Sequence, residues 1–304
     1  MEHSSARLKT NRDLTARNCP GCGSSEARRR GLKDTFEILT CKGCGTLYAQ
    51  RLPASVSPTD YNDYYTSANL NVSDFIHERV AQIVAGFSGY RQTGRLLEIG
   101  FGAGALLQAA TRAGWTAEGL EISQPAVDHL RKAGLKVFCG ELAEARYPDA
   151  CFDVVVATEL LEHIDDPENL VRETARILRP GGLFWATTPN IGGVSGRLLG
   201  VKWTMVCADH LHLFSERGMS KMLETAGFKR VRIKTDGMDP FELWEGLVHP
   251  SRLAEIDIDK AVQSKLKFNE DMTRSGPKRM AKNFVNGLLR LSGLGDSLKI
   301  SAER

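Results

Sequence analysis

Leu96-Leu97-Glu98-Ile99-Gly100-Phe101-Gly102-Ala103-Gly104 is a short apolar run that breaks into three alternating glycines. The run reads as a buried strand. Glycine at every second position then lets the backbone turn tightly and approach a ligand, with the start of an Ala/Leu-rich helix (105–113) behind it. After Gly114 a second apolar stretch, TAEGLEI, carries Glu121 at its tip. Strand, glycine turn, helix and strand make a βαβ unit. An elongated polar ligand is expected across the turn, and the Glu121 carboxylate can accept from both hydroxyls of a ribose.

The alternation continues outward in both directions. Downstream come a helix over 126–133, strands KVFC (136–139) and FDVVVAT (152–158), and a helix over 168–178. A stop at RPGG (179–182) follows, then strand LFWATT (183–188), a helix over 216–226 and strand KRVRIKT (229–235). Strands alternating with helices of this length predict an α/β fold with a doubly wound, mostly parallel sheet. Residues 238–292 break the pattern as an irregular, charged, partly helical insertion, and GDSLKISA (295–302) reads as a last strand returning beside 229–235. Upstream, Val72, Phe75, Ile76, Val80, Ile83, Val84 and Phe87 recur at helical spacing, a face expected to pack on the domain that follows.

The N-terminal region has a different logic. Cys19-Pro-Gly-Cys22 and Cys41-Lys-Gly-Cys44 are each followed by glycine and are separated by eighteen residues, a spacing that matches a structural zinc site. Two thiolates from each tight turn complete a tetrahedral Cys₄ shell, with no position left open for catalysis. Cys139, Cys151 and Cys207 lack such spacing and read as small apolar residues. The expected organisation is a polar lead (1–18), a Cys₄ zinc-ribbon-like segment (19–52), a linker and amphipathic helix (53–90) and a catalytic domain (91–304).

Composition bounds the rest. In 304 residues, 42% apolar and 25% charged exclude disordered and fibrous classes. The longest apolar runs, near 154–157 and 183–186, are strand-sized, so no membrane span is expected. The polar N-terminus has no apolar signal core, which points to a cytoplasmic protein. A net charge of +3 gives no strong nucleic-acid signal.

A glycine turn with a later acid also suits dinucleotide binding, since Gly100, Gly102 and Ala105 loosely satisfy G-x-G-x-x-A. A larger set of motifs decides against that. LLEIGFGAG (96–104), EGLEIS (118–123), FDVVVATELLEHIDDPENLVRETARILRPGGLFWATTPN (152–190) and HLHLFSERGMSKMLETAGF (210–228) together resemble the class I S-adenosylmethionine-dependent methyltransferases. The Cys₄ segment followed by YNDYY (61–65), with the closing GLGDSLKISA, is similar to a subgroup of glycan and small-molecule biosynthesis. LLEHIDDPE (160–168) resembles the ubiquinone-biosynthesis O-methyltransferases.

The resemblance implies a Rossmann-like methyltransferase sheet and S-adenosyl-L-methionine as cofactor. Glu98 and the backbone of Gly100, Gly102 and Gly104 would hold its methionine end and Glu121 its ribose. Gly140, Glu141 and Leu142 would flank adenine, and Thr158 and Glu159 would open onto the sulfonium. Tyr61, Tyr64 and Tyr65 would form part of a lid, or simply pack on the sheet.

A hydroxyl nucleophile benefits from a base, and histidine suits neutral pH. His163 and His210 are the catalytic candidates; His212, amid Leu211, Leu213 and Phe214, equally reads as a packed ring. Glu159, Glu162 and His163 form E-x-x-E-H, one face of a helix if helical. That stretch resembles one associated with magnesium, though a helix-start acid pair with a hydrogen-bonded histidine explains it as well.

The expected reaction is O-methylation of a sugar, glycan precursor or other small metabolite. The alternatives are an RNA methyltransferase using the zinc ribbon and Arg28-Arg29-Arg30, or an idle cofactor-fold scaffold. Between Lys260 and Arg290 stand eight Lys/Arg against Glu270 and Asp271, a local +6. Met280, Phe284, Leu288 and Leu291 there repeat at helical spacing. This stretch is expected to dock its apolar face on the catalytic domain and turn its basic face to an anionic acceptor or an anionic membrane surface.

Overall fold

The computed structural model describes residues 17–33, 36–50, 70, 72–248 and 276–304. The proposed lid tyrosines and much of the insertion lie outside those residues. A seven-stranded sheet is assembled from β4 (Arg95–Ile99), β5 (Thr116–Glu121), β6 (Lys136–Cys139), β7 (Phe152–Thr158), β8 (Leu178–Pro189), β10 (Lys229–Asp236) and β11 (Ser297–Glu303). Its order is β10-β11-β8-β7-β4-β5-β6. β4, β5, β6, β7 and β8 pair in parallel, whereas β11 runs antiparallel between β8 and β10.

The sheet is doubly wound because β7 is apolar on both faces. Val155 and Ala157 join one core with Leu97, Phe184, Ile300, Val171 and Met219, and Val154 and Val156 join the other with Leu96, Leu107, Val127 and Val84. Alternate residues of a strand point to opposite faces, so a continuous run of valines requires helices on both sides. Helix α1 (Asp74–Ala85) covers the second face through Val84, with Phe87 just beyond it, as its spacing predicts.

Two expectations are corrected. RPGG does not stop the chain: β8 begins at Leu178 and runs through it. Leu178 pairs with Phe152 of β7, while Gly181 N–H donates to Arg304 C=O and Arg304 N–H to Gly182 C=O. Neighbours on both sides thus occupy the backbone groups that a free turn would leave to water. The apolar stripe 280–291 does not dock on the catalytic domain either. In α9 (Gly276–Ser292), Met280, Phe284, Leu288 and Leu291 are exposed, and among the described side chains Leu289 is buried.

The cysteine segment is built into a second sheet, β1 (Ala27–Lys33), β2 (Phe36–Cys41), β3 (Leu47–Gln50) and β9 (His212–Leu213), in that order. Its apolar residues Phe36, Ile38, Leu47 and Ala49 share a core with Leu199, Trp203, Val206 and Leu213 of the catalytic region. A four-residue strand cannot bury a core alone, and here the long-range pairing of β3 with β9 supplies the missing half. Among the described residues no helix is long and apolar enough to cross a membrane.

Candidate active site

The carboxyl ends of the parallel strands form one rim, and the strand order reverses direction between β4 and β7. A crevice at such a switch point is where open α/β sheets place their ligands. Gly100, Gly102 and Gly104 leave β4 with φ of 69°, 52° and 75°, left-handed values at which a side chain is strained. Gly100 N–H donates to Leu120 C=O at 2.8 Å, which closes the turn against β5.

Glu121 is preset by three backbone donors. Gly102 N–H donates to Oε2 at 3.0 Å, and Ile122 and Ser123 N–H donate to Oε1 at 2.8 and 3.1 Å. The carboxylate is thus held at the strand tip, beside the glycine turn. Gly140, with φ of 145°, reaches the same tip by donating to Glu121 C=O at 3.0 Å. Glu141 then caps the short helix α4 (Leu142–Ala145), in which Leu142 is buried.

Glu98 is 2% exposed, and its Oε2 has no hydrogen-bond partner among the described residues. Burial pushes its carboxyl up to about 8, and the neighbouring Glu121 charge adds to the push. A buried oxygen without a donor is destabilising unless a ligand supplies one. A ligand ammonium group is a donor of the right kind for this oxygen.

On the far side of β4 the chain leaves β7 at Thr158. Glu159 has φ of 46° and stays exposed, with its N–H on Thr187 C=O at 2.9 Å. Residues 161–163 form a turn, not a helix, so E-x-x-E-H is split: Glu159 faces out and Glu162 is buried at 1%. Thr188 Oγ1 donates to Glu162 Oε2 at 2.9 Å. Burial, then the Glu159 charge, pushes the Glu162 carboxyl up to about 8.

His163 and His210, forty-seven positions apart, meet edge to face with ring centroids 4.7 Å apart. His163 Nδ1 lies 3.0 Å from Asp209 C=O, which accepts from an N–H there and leaves Nε2 as the basic nitrogen. Burial and then the His210 charge pull its pKa down to about 4. Burial also opposes charge on His210, but its hydrogen bond with the Cys207 sulfur and the charge there outweigh it, Glu162 adding to this only where it is ionised, and hold that ring at about 9. His163 is therefore neutral and His210 cationic near neutral pH. His212 is buried, with Nε2 2.6 Å from Ile164 C=O, a structural position in β9.

The sequence reading missed Cys207. Burial raises its thiol, but His210 outweighs that and lowers it. The C-x-x-H spacing of Cys207 and His210 was the available signal. One ligand atom each from Glu162, His163 and His210 lies within 4.8 Å of the others, a set compatible with a cation.

The four N-terminal cysteines converge, with all Sγ atoms within 4.8 Å. Cys19 and Cys44 are 3.5 Å apart, as are Cys22 and Cys41. Gly23 and Gly45 follow the pairs with φ of 72° and 86°, the left-handed turns that let each loop fold back. Ser215 ties this cluster to α7 (Glu216–Thr225): its hydroxyl caps Gly218 N–H at 3.0 Å and donates to Cys44 C=O at 2.7 Å.

A seven-stranded sheet of this order, with a glycine turn and an acid at adjacent strand tips, defines an α/β nucleotide-binding fold. The methyltransferase-domain family matches residues 73–233, more than half of the chain, and the chain belongs to it. A Mycolicibacterium smegmatis protein named "Probable S-adenosylmethionine-dependent methyltransferase" is 34% identical over 185 residues, 60% of this chain and 64% of that protein. The ubiquinone biosynthesis O-methyltransferase of Ralstonia nicotianae is 33% identical over 164 residues, 49% of this chain and 64% of that one. The matches thus span under two thirds of these relatives' own length. A solved S-adenosylmethionine-dependent methyltransferase from Archaeoglobus fulgidus shares the fold, with a TM-score of 0.53 and 18% identity over 81% of this chain and 100% of its own.

Proposed function

We propose that the protein transfers a methyl group from S-adenosylmethionine to an oxygen of a small biosynthetic metabolite, a sugar or glycan precursor in the first instance. The observation that carries the reading is the pair of acids at the strand tips: Glu121, held by three backbone donors beside the glycine turn, and Glu98, buried with an oxygen awaiting a donor. The O-methyltransferase name of the ubiquinone-pathway relatives supports oxygen as the attacked atom. The sugar class rests on the resemblance of the Cys₄ subgroup.

When bound, S-adenosylmethionine supplies an electrophilic methyl on a sulfonium. Glu98 would hold the amino-acid end, Glu121 the ribose, and Gly140 to Leu142 the base. The remaining work is alignment and proton removal. Neutral His163 would take the acceptor's hydroxyl proton at Nε2 as the oxygen–carbon bond forms, with Asp209 C=O fixing its tautomer. Cationic His210, anchored by Met205 C=O at 2.7 Å from Nδ1, would favour the developing alkoxide.

The four cysteines would hold one structural zinc, since the set is all thiolate and every corner is filled. Calorimetry tests cofactor binding first: micromolar S-adenosylmethionine binding is expected with no response to NADH, and the reverse result would overturn the reading. Isotopically labelled cofactor incubated with metabolite extracts then identifies the acceptor. Elemental analysis should find one zinc per chain, and Cys41→Ser should lose it while the glycine turn still binds cofactor.

A further inference from the structure

Helix α9 is mounted the opposite way to an ordinary surface helix. It approaches the protein through Leu289, which is 8% exposed and whose carbonyl accepts from Thr235 Oγ1 at 3.0 Å, and through Arg290, paired with Asp236 at 3.0 Å. At 100° per residue the stripe Met280, Phe284, Leu288 and Leu291 lies on another side of the cylinder. Those four side chains are 74%, 69%, 52% and 88% exposed. An amphipathic helix on a soluble body normally turns that stripe inward.

The exposed stripe does not stand alone. Helices α6 (Val194–Leu199) and α8 (Pro240–Val248) pack on each other, and they expose Leu198 and Trp244 by 59% and 63%. The chain beyond α9 binds the start of α6, with Val194 N–H on Leu294 C=O at 3.0 Å and Ser195 N–H on Asp296 Oδ1 at 2.9 Å. All three helices therefore gather where β8 and β10 end, the rim that carries the candidate active site.

We propose that this rim is a docking surface for an anionic lipid bilayer, with α9 lying in the interface plane. Charge selects that occupant. The seventeen residues of α9 carry Lys278, Arg279, Lys282 and Arg290 and no acidic residue, and with Arg290 paired to Asp236 the helix still contributes a net +3. A second copy of α9 packed on the first would bring like charge against like, with no acid in the helix to pair. Anionic headgroups neutralise the basic residues while Phe284, Leu288 and Trp244 enter the acyl boundary. The helix is too short and too polar to span, so contact would be peripheral and salt-sensitive. This inference does not depend on the acceptor, because methyl transfer to a soluble metabolite needs no bilayer.

Vesicle sedimentation of the full chain tests it, using phosphatidylcholine alone and phosphatidylcholine mixed with phosphatidylglycerol. Binding is expected to the mixed vesicles at low salt and to weaken as salt rises. The double variant Phe284→Glu/Leu288→Glu should lose about a hundredfold in partitioning, roughly tenfold per large apolar group. Arg279→Ala should lose about fivefold. Both sites are exposed, so an unchanged thermal midpoint confirms that each variant is folded. Failure of the wild type to sediment with anionic vesicles, equal binding to neutral ones, or sedimentation of the double variant like the wild type would each overturn the proposal. So would a wild-type dimer, abolished by the double variant, in the absence of vesicle binding.

Discussion

The two ends of the same sheet treat buried acids in opposite ways. At the amino ends, Asp153 is fully buried yet saturated: Arg179 Nε donates to Oδ1 at 2.6 Å, and Gln92 and Gly94 N–H donate to Oδ2 at 2.9 and 2.7 Å. Burial pushes this carboxyl up, but Arg179 and the backbone donors outweigh it and hold it below the usual range. At the carboxyl ends, Glu98 is equally buried, lacks a partner for one oxygen and is pushed the other way. The amino rim locks the fold; the carboxyl rim keeps polar groups in waiting, which is what a binding site requires before its ligand arrives.

The largest effect should come from breaking the satisfied end. Asp153→Ala leaves Arg179, only 11% exposed at its side chain, without a counter-charge. Removing one partner of a buried pair costs about 3–5 kcal/mol, so the thermal midpoint should fall steeply. A midpoint within a degree or two of wild type would show that the two rims do not divide the work as described.

At the other rim, rate should suffer more than stability. His163→Ala should lower kcat by about 10²–10⁴-fold with little change in cofactor affinity. In wild type the acid limb of kcat should fall near pH 4, not at the ordinary imidazole value of 6.5, because burial and the His210 charge disfavour protonation. His210→Ala removes that charge and should move the limb upward. An acid limb that stays in place in His210→Ala would separate the two rings, and full activity in His163→Ala would leave catalysis to positioning alone.

Glu121→Ala should weaken cofactor binding by about 1–3 kcal/mol, the cost of losing an acceptor for buried donors. It also orphans the N–H groups of Gly102, Ile122 and Ser123, so part of that loss reflects a loosened turn. Calorimetry with adenosine, which keeps the ribose and lacks the methionine, distinguishes the two: loss of the ribose contact weakens both ligands alike.

What was legible in the sequence follows the same division. The strands and most helices of the doubly wound sheet were readable because each is encoded locally, by apolar runs and periodicity. RPGG was misread because its pairing partners are Phe152 and Arg304, near and far along the chain. Strand β9 and the meeting of His163 with His210 depend on long-range contacts with no local signature. The orientation of α9 was inverted for a related reason: a stripe at helical spacing reports which residues share a face, not which way that face is turned.

The last effect expected is the one with the opposite sign. Glu98 carries a folded-state pKa raised to about 8 from an ordinary 4.5, so the folded state holds a proton that the unfolded chain has released. Its contribution to stability is therefore complete below pH 4.5 and is lost as pH rises through 8. Glu98→Gln keeps the shape and hydrogen-bonding capacity but removes the ionisation, so the ligand-free protein should lose less stability between those pH values than wild type does. The same change removes the negative charge that a ligand ammonium would meet, so cofactor affinity should fall while the thermal midpoint at pH 8 rises. Satisfying Glu98 by ligand would reverse the comparison: saturating S-adenosylmethionine should stabilise wild type more than the variant. A variant that is less stable than wild type at pH 8 and binds cofactor equally well would place Glu98 among the satisfied acids, with Asp153, and remove the contrast between the two ends of the sheet.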